Sequence, residues 1–239
     1  MRMNTDIFGE AIKDYFNNQY TEDIVVQADD FDDDHIPIPY LFRSYPEMPK
    51  VEQKALDTAF GKVLDVGCGA GSHGLYLQKE KKLDVTAIDI SEGAIETCKK
   101  RGLKNVYIQD VFKHNSGTYD TILFLMNGSG IIGTLDHIHR FFNHIKTLLT
   151  PGGQVLMDSS DISYLFQEED GSFWIDASAR YYGEMRYILK YKKQKSEAFD
   201  WLYIDYNTLQ NAANANGFLS ELLIEGENND YLARFTLAN

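Results

Sequence analysis

Five residues within VLDVGCGAGSHG (63–74) have types and spacing that can do chemistry: Asp65, Gly67, Gly69, Gly71 and Gly74. They can be read in two frames. Gly69, Gly71 and Gly74 spell G-x-G-x-x-G, the spacing that brings a dinucleotide pyrophosphate against a helix N-terminus. Asp65, Gly67, Gly69 and Gly71 spell D-x-G-x-G-x-G, which sets a carboxylate at the end of a strand and suits a ligand that carries positive charge. Register separates the two. The apolar run KVLDV ends at Val66, so the first turn glycine is Gly67, and the third fingerprint position counted from it falls on Ser72. Starting at Gly69 leaves two extra residues between strand and turn. Asp65 would also stand beside a pyrophosphate, negative against negative, which costs energy unless a cation intervenes. The second frame fits better.

These residues need a scaffold, and the chain supplies one from residue 62 onward. KVLDVG, LDVTAID, NVYIQD, YDTILFLM and QVLMD read as buried strands, with helical segments between most of them. Ser91 and Gly102 suit the start and stop of the second helix. Leu135, Ile138, Phe141, Phe142, Ile145, Leu148 and Leu149 mark an amphipathic helix ended by Pro151-Gly152-Gly153. Such alternation predicts a doubly wound α/β fold with a parallel sheet and right-handed crossovers. Further on, EMRYILKYK and AFDWLYID alternate with period two, and KKQKS can turn between them, so an antiparallel hairpin is inserted at about 181–206. Its aromatic stripe (Tyr187, Tyr191, Phe199, Trp201, Tyr203) needs burial against the parent sheet, a ligand or a second subunit, so a homodimer is one outcome. YNTLQNAANANGF is a helix, and LSELLIEG with DYLARFTL forms a closing hairpin. Residues 1–60 read as a cap: a helix in DIFGEAIKDYF, irregular chain through DDFDDDHIPIPYLFRSYPEMP, and a lead-in helix. The aspartate run with His35 matches no metal-loop spacing, and no metal is expected.

Composition excludes several classes. The 239 residues carry a formal net charge of −13, which argues against nucleic acid and anionic membranes as partners. KYKKQKS is the one basic run, and it is short. No apolar run has the length of a membrane span or of a signal-peptide core. Two cysteines, Cys68 and Cys98, give neither a disulfide framework nor a metal spacing, and a reduced, cytoplasmic enzyme is the expectation.

VLDVGCGAGSHG closely resembles the first motif of the class I S-adenosylmethionine-dependent methyltransferases, and the resemblance extends over residues 62–153 and, by pattern, the closing strands. It implies a Rossmann-like seven-stranded sheet with an antiparallel C-terminal edge over residues 61–239, and S-adenosyl-L-methionine as cofactor. Gly67, Gly69 and Gly71 would let the backbone approach the methionine part, and Asp65 would help hold its ammonium. Asp89, with Ile90 beside it, would take the ribose hydroxyls. Asp110 would receive the adenine amino group and Val111 would offer a backbone N–H. Asn127, after the fourth strand, can reach cofactor or acceptor. The NGSG that starts there departs from the N-P-P-Y type of enzymes that methylate nucleobase or glutamine amino groups, which counts against those substrates; oxygen or nitrogen of a small molecule is the expected acceptor, with a protein acceptor left open.

Methyl transfer from a sulfonium needs alignment more than a loud catalytic motif. His73, near a helix start that favours the neutral imidazole, is a candidate base. Asp158 and Asp161, in DSSD after the fifth strand, are candidates on the acceptor side. Tyr40, Arg43 and Tyr45 in YLFRSY are candidates to close over an acceptor. A nicotinamide-dependent oxidoreductase and a non-catalytic binding protein that keeps the fold are the rivals.

Overall fold

In chain order the elements are α1 (Ile7–Phe16), β1 (Ile24–Ala28), β2 (Phe31–Ile36), α2 (Lys50–Thr58), β3 (Lys62–Val66), α3 (Ser72–Lys79), β4 (Asp84–Asp89), α4 (Glu92–Arg101), β5 (Asn105–Ile108), β6 (Tyr119–Phe124), α5 (Ile138–Lys146), β7 (Leu149–Ser160), β8 (Glu184–Tyr191), β9 (Gln194–Lys195), β10 (Phe199–Leu202), α6 (Tyr206–Ala215), β11 (Phe218–Glu225) and β12 (Asp230–Leu237). The computed structural model describes residues 5–28, 31–167 and 180–238.

Seven strands make the main sheet in the order β11-β12-β7-β6-β3-β4-β5. The five from β3 to β7 run parallel, and β12 and β11 add the antiparallel edge. Strand residues alternate between two layers. Leu64, Val66, Ile122, Phe124, Val155 and Met157 pack with Phe141, Phe142 and Ile145 of α5 and Leu209 of α6. Their neighbours Val63, Val85, Ala87, Leu123 and Leu156 pack with α2, α3 and α4 on the other face. β3 pairs both with β4, its successor, and with β6, so the strand order reverses there. A crevice opens at such a reversal, beyond the carboxyl ends of the strands.

The last parallel strand differs from expectation. β7 already begins at Leu149 and carries Pro151-Gly152-Gly153 within it, and its register with β6 shifts between Tyr119 and Thr121. The amphipathic segment before it divides into a 3-10 turn, Leu135–His137, and α5.

The second correction is larger. The acidic stretch is not irregular chain: residues 31–36 form β2, paired antiparallel with β1, while Asp29 and Asp30 lie outside the described residues. β1 pairs in turn with β8, giving a second, antiparallel sheet of order β10-β8-β1-β2, with β9 also on β8. Charged residues suit β2 because it is an edge strand, where like charges discourage further pairing. The predicted hairpin is present, turning at Lys192 and Lys193, and its stripe has a partner within the chain. Leu189 and Tyr191 are buried with Ile7 and Ala11 of α1 and Ile24 of β1, and Tyr187 and Phe199 pack against that cluster.

α1 also crosses α4 at two glycines. A Cβ on Gly93 would lie 2.5 Å from the Gly9 carbonyl oxygen, so only glycine permits this approach. Asp6 fastens the crossing. Its Oδ1 caps α1 by accepting from the Gly9 N–H, and its Oδ2 accepts from the Ser91 hydroxyl and the Gly93 N–H, each at 2.9 Å.

Candidate cofactor and acceptor site

The glycine turn follows β3 at the crevice and leads into α3. Gly69 has φ +51°, and a Cβ built on it would meet nothing within 4 Å, so its open side is a cradle that a side chain would fill. Gly71 is the N-cap of α3 at φ +82°, with Cys98 Sγ only 2.8 Å from where a Cβ would stand. Gly67 is exposed at the start of the turn, whereas Cys68 and Ala70 are buried. Ala70 lies under Ile12 of α1 and beside Leu41 and Phe42 of the 3-10 turn Ile38–Phe42. The Ser72 hydroxyl donates to the Leu41 carbonyl. The N-terminal segment thus rests directly on the turn.

Asp65, one residue before the end of β3, is buried, and its Oδ2 has no hydrogen-bond partner. Burial pushes its pKa up, and the nearby His73 and Gly74 amide offset only part of that. A buried carboxylate oxygen without a donor, on the strand that leads into an open glycine turn, fits a group that brings its own N–H bonds and positive charge. Asp89 ends the adjacent strand. Its Oδ2 accepts from the Gly69 N–H and its Oδ1 from the Ser91 N–H, both at 2.9 Å. Each oxygen keeps a second lone pair for a hydroxyl donor. Burial raises the Asp89 pKa against the pull of these two amides. Ile90, next to it, is 51% exposed, an apolar surface at the mouth of the crevice.

Asp110 follows Gln109, the first residue after β5, whose N–H donates to the Asp89 carbonyl. It caps the 3-10 turn Val111–Lys113 through Oδ1 to the Phe112 N–H, and Lys113 Nζ lies 3.5 Å from Oδ2. Val111 is buried, and its carbonyl accepts from His144 Nε2 at 2.7 Å. His144 of α5, partly buried, is thus tied to the turn after β5, whereas His137 and His139 are exposed. Asn127 stands after β6, where the carboxyl ends of β3 and β6 meet. Asp65, the three turn glycines, Asp89, Ile90, Asp110, Val111 and Asn127 thus lie at the same ends of neighbouring strands.

The acceptor-side candidates are mostly corrected. His73 is not a free, neutral base. Its Nε2 lies 2.6 Å from Glu52 Oε2, and both side chains are buried. Burial opposes the imidazolium, but Glu52 and the more distant Asp65 outweigh it and raise the His73 pKa. The other oxygen of Glu52 takes Arg43 Nη2. Burial would raise the Glu52 pKa, yet these two cations hold it below the usual value. Arg43 is accordingly an internal anchor rather than a reaching side chain, donating also to the Tyr40 carbonyl and lying 3.6 Å from the Tyr40 ring centroid. Tyr40 itself is 42% exposed. Tyr45 is turned elsewhere: its ring stacks on Tyr76 with centroids 4.3 Å apart, and its hydroxyl donates to Asp57. Asp161 Oδ1 accepts from the Ser163 N–H and the Tyr182 hydroxyl, which holds the loop after β7. Asp158 is buried with an amide on each oxygen. Glu52 was not anticipated. Its signal was a carboxylate on the same helix face as Val51, Ala55 and Leu56. Among the described residues no cluster of His, Cys, Asp and Glu is arranged to hold a metal ion, and no helix is long and apolar enough to cross a membrane.

Comparison with known proteins follows this geometry. The family profile described as Methyltransferase domain matches residues 63–153. An S-adenosylmethionine-dependent methyltransferase from Bacteroides fragilis, crystallised with S-adenosyl-L-homocysteine, superposes with a TM-score of 0.93 at 45% identity over 100% of both chains. The chain belongs to the class I S-adenosylmethionine-dependent methyltransferases. This methyltransferase also matches a ubiquinone biosynthesis O-methyltransferase from Vibrio parahaemolyticus, 32% identical over 46% of this chain and 50% of the other. A ribosomal RNA small subunit methyltransferase C from Mannheimia succiniciproducens is 32% identical over 41% of this chain and 32% of its own length. The chain spans at most half the length of these curated relatives.

Proposed function

We propose that the protein transfers the methyl group of S-adenosyl-L-methionine to an oxygen or nitrogen of a small molecule. The observation that carries the reading is the buried, unpartnered Oδ2 of Asp65 on the strand that leads into the open Gly69 turn, with Asp89 of the adjacent strand bonded to the Gly69 N–H. When bound, the cofactor supplies an activated methyl on a sulfonium. The chain's part is to bind and orient. Asp65 takes the ammonium, Gly67, Gly69 and Gly71 admit the methionine part, and Asp89 takes the ribose hydroxyls with Ile90 against the ring system. Asp110 and Val111 address the adenine edge, and Asn127 meets the ligand near the transferred group. Tyr40, half exposed above the strand ends, closes part of the acceptor side and helps exclude water.

A small molecule is preferred to RNA as acceptor because phosphate binding draws on basic surface, and the chain has 23 Lys and Arg against 36 Asp and Glu. Calorimetric titration with S-adenosylmethionine, S-adenosylhomocysteine and NAD(H) tests the cofactor. Saturable binding of the two adenosyl ligands, abolished by Asp89→Ala and weakened by Asp110→Ala, is expected. Binding of NAD(H) alone would return the site to the oxidoreductase reading, and binding of none would leave a non-catalytic protein of this fold.

A further inference from the structure

The turn after β6 holds two residues in an unusual conformation. Met126 and Asn127 have φ of +67° and +56°, a left-handed region that side-chain-bearing residues rarely adopt in succession. Such backbone persists only where its surroundings over-determine it, and it clusters at ligand sites. Here one side chain does much of the holding. Asp158, buried near the end of the neighbouring strand β7, accepts from the Met126 N–H on Oδ2 and from the Gly128 N–H on Oδ1, each at 2.9 Å. The carboxylate therefore brackets Asn127 from both sides. Asn127 is held at two further points: its carbonyl accepts from the Gly130 N–H at 2.9 Å, and its Oδ1 from the Ser160 hydroxyl at 2.8 Å. With Oδ1 on Ser160, the donor end of the carboxamide, Nδ2, faces the other way. Gly128 cannot take a side chain to help, because its Cβ would lie 2.6 Å from that of Phe124.

We propose that Asp158 is a positioning residue for the cofactor site, a carboxylate that contacts no ligand itself but, through the Met126 and Gly128 amides, sets the direction of the Asn127 carboxamide. The inference rests on the reading above that Asn127 meets the adenosyl ligand. The bracket is strongest when Asp158 is ionised, because charged acceptors make the stronger hydrogen bonds. Several groups act on it from the elements around it. Burial raises its pKa to about 7, the Gly128 and Met126 amides lower it, Glu52 of α2 raises it and His73 of α3 lowers it. Tyr40 and Tyr231 of β12 lie within electrostatic reach as well.

The test uses the full chain and S-adenosylhomocysteine as the calorimetric probe, at pH 8 and pH 6. Asp158→Asn keeps the shape but turns an amino group towards one of the two amides, and it should raise the Kd about tenfold at pH 8, the worth of roughly one good hydrogen bond. Asn127→Ala should do the same, and the double substitution should be no weaker than the worse single one. The wild type should lose affinity from pH 8 to pH 6 as Asp158 gains a proton, and this loss should be smaller in both Asp158→Asn and Asn127→Ala. A merely structural carboxylate would leave the pH dependence in Asn127→Ala untouched, so that arm decides even if Asp158→Asn fails to fold. Full additivity of the two substitutions, or an unchanged pH dependence in Asn127→Ala, overturns the inference. Failure of the wild type to bind the probe at all overturns the cofactor reading beneath it.

Discussion

Glu52 Oε2 and His73 Nε2 lie 2.6 Å apart in the interior, joining the lead-in helix α2 to the helix that carries the glycine turn. Arg43 completes the chain from the other side. Removing one member of a buried ion pair leaves its partner uncompensated, at a cost of about 3–5 kcal/mol. The pH window follows from the two shifts. The Glu52 pKa is held below 4.5, so its share of stability is present above that value and is lost as pH falls through the lowered one. The His73 pKa is raised above 6.5, so its share is present below that value and is lost as pH rises through the raised one. Glu52→Gln should therefore destabilise most between pH 4.5 and 6.5 and less in alkali, as read by urea melts across pH. An equal gap at pH 5.5 and at pH 9 would show that His73 is not the charged partner.

Gly69 predicts a separation of binding from stability. Its left-handed φ makes Gly69→Ala cost about 1–2 kcal/mol, which lowers the melting temperature by roughly 2–4 °C per kcal/mol in a chain of this size. The new methyl points into open space, so no clash adds to this. Affinity for S-adenosylhomocysteine should fall far more, because that space is where the ligand must come close. A variant that melts early yet binds as the wild type does would remove Gly69 from the site.

The crossing of α1 over α4 should resist any side chain. Gly93→Ala forces the helices apart, since the obstacle is the Gly9 backbone, and should cost about 1–3 kcal/mol, the usual range for overpacking. Asp6→Ala loosens the same junction by about 1 kcal/mol or more. Because both act on one contact, the double variant should lose less than the two single losses together. Thermal melts of the three variants decide this, and strict additivity would mean that the two features are independent.

Cys68 and Cys98 should be hard to modify in the folded protein. Their sulfurs are 3.8 Å apart and buried, and the hydrogen bond to Cys98, with burial, pushes the Cys68 thiol well above its ordinary pKa. Thiolate is the reactive form. An Ellman-type reagent at pH 8 should react slowly with the native chain and promptly with both thiols in denaturant. Prompt native reaction would mean that the glycine turn opens readily.

The parallel sheet was legible because its strands are short apolar runs between glycine-marked turns, and Asp65, Asp89 and Asp110 stand where those runs end. The second sheet was not. β2 reads FDDDHI, and nothing within that hexapeptide says strand; its backbone is extended because β1 offers a ladder, and β1 is placed by β8 far along the chain. Side-chain roles failed for a related reason. His73 was read from its own helix end, whereas its state is set by Glu52 on another helix. Asp158 and Asp161 were found at the right end of the sheet, but their bonding to backbone amides and Tyr182 depends on neighbours that spacing does not reveal.

The pairing of Val26 with Leu189 has a consequence for how the chain matures as it is made. β1 and β2 emerge before the parallel strands, yet a two-stranded hairpin alone is marginal in water, and its main partner is translated only after every parallel strand is complete. The central sheet and its glycine turn can thus assemble while β1 and β2 still lack β8, although α1 already has α4 to rest on through Gly9 and Gly93. Closing so long a loop carries an entropic cost that local pairings do not. Strands translated before the parallel sheet are thereby among the last to complete their pairing.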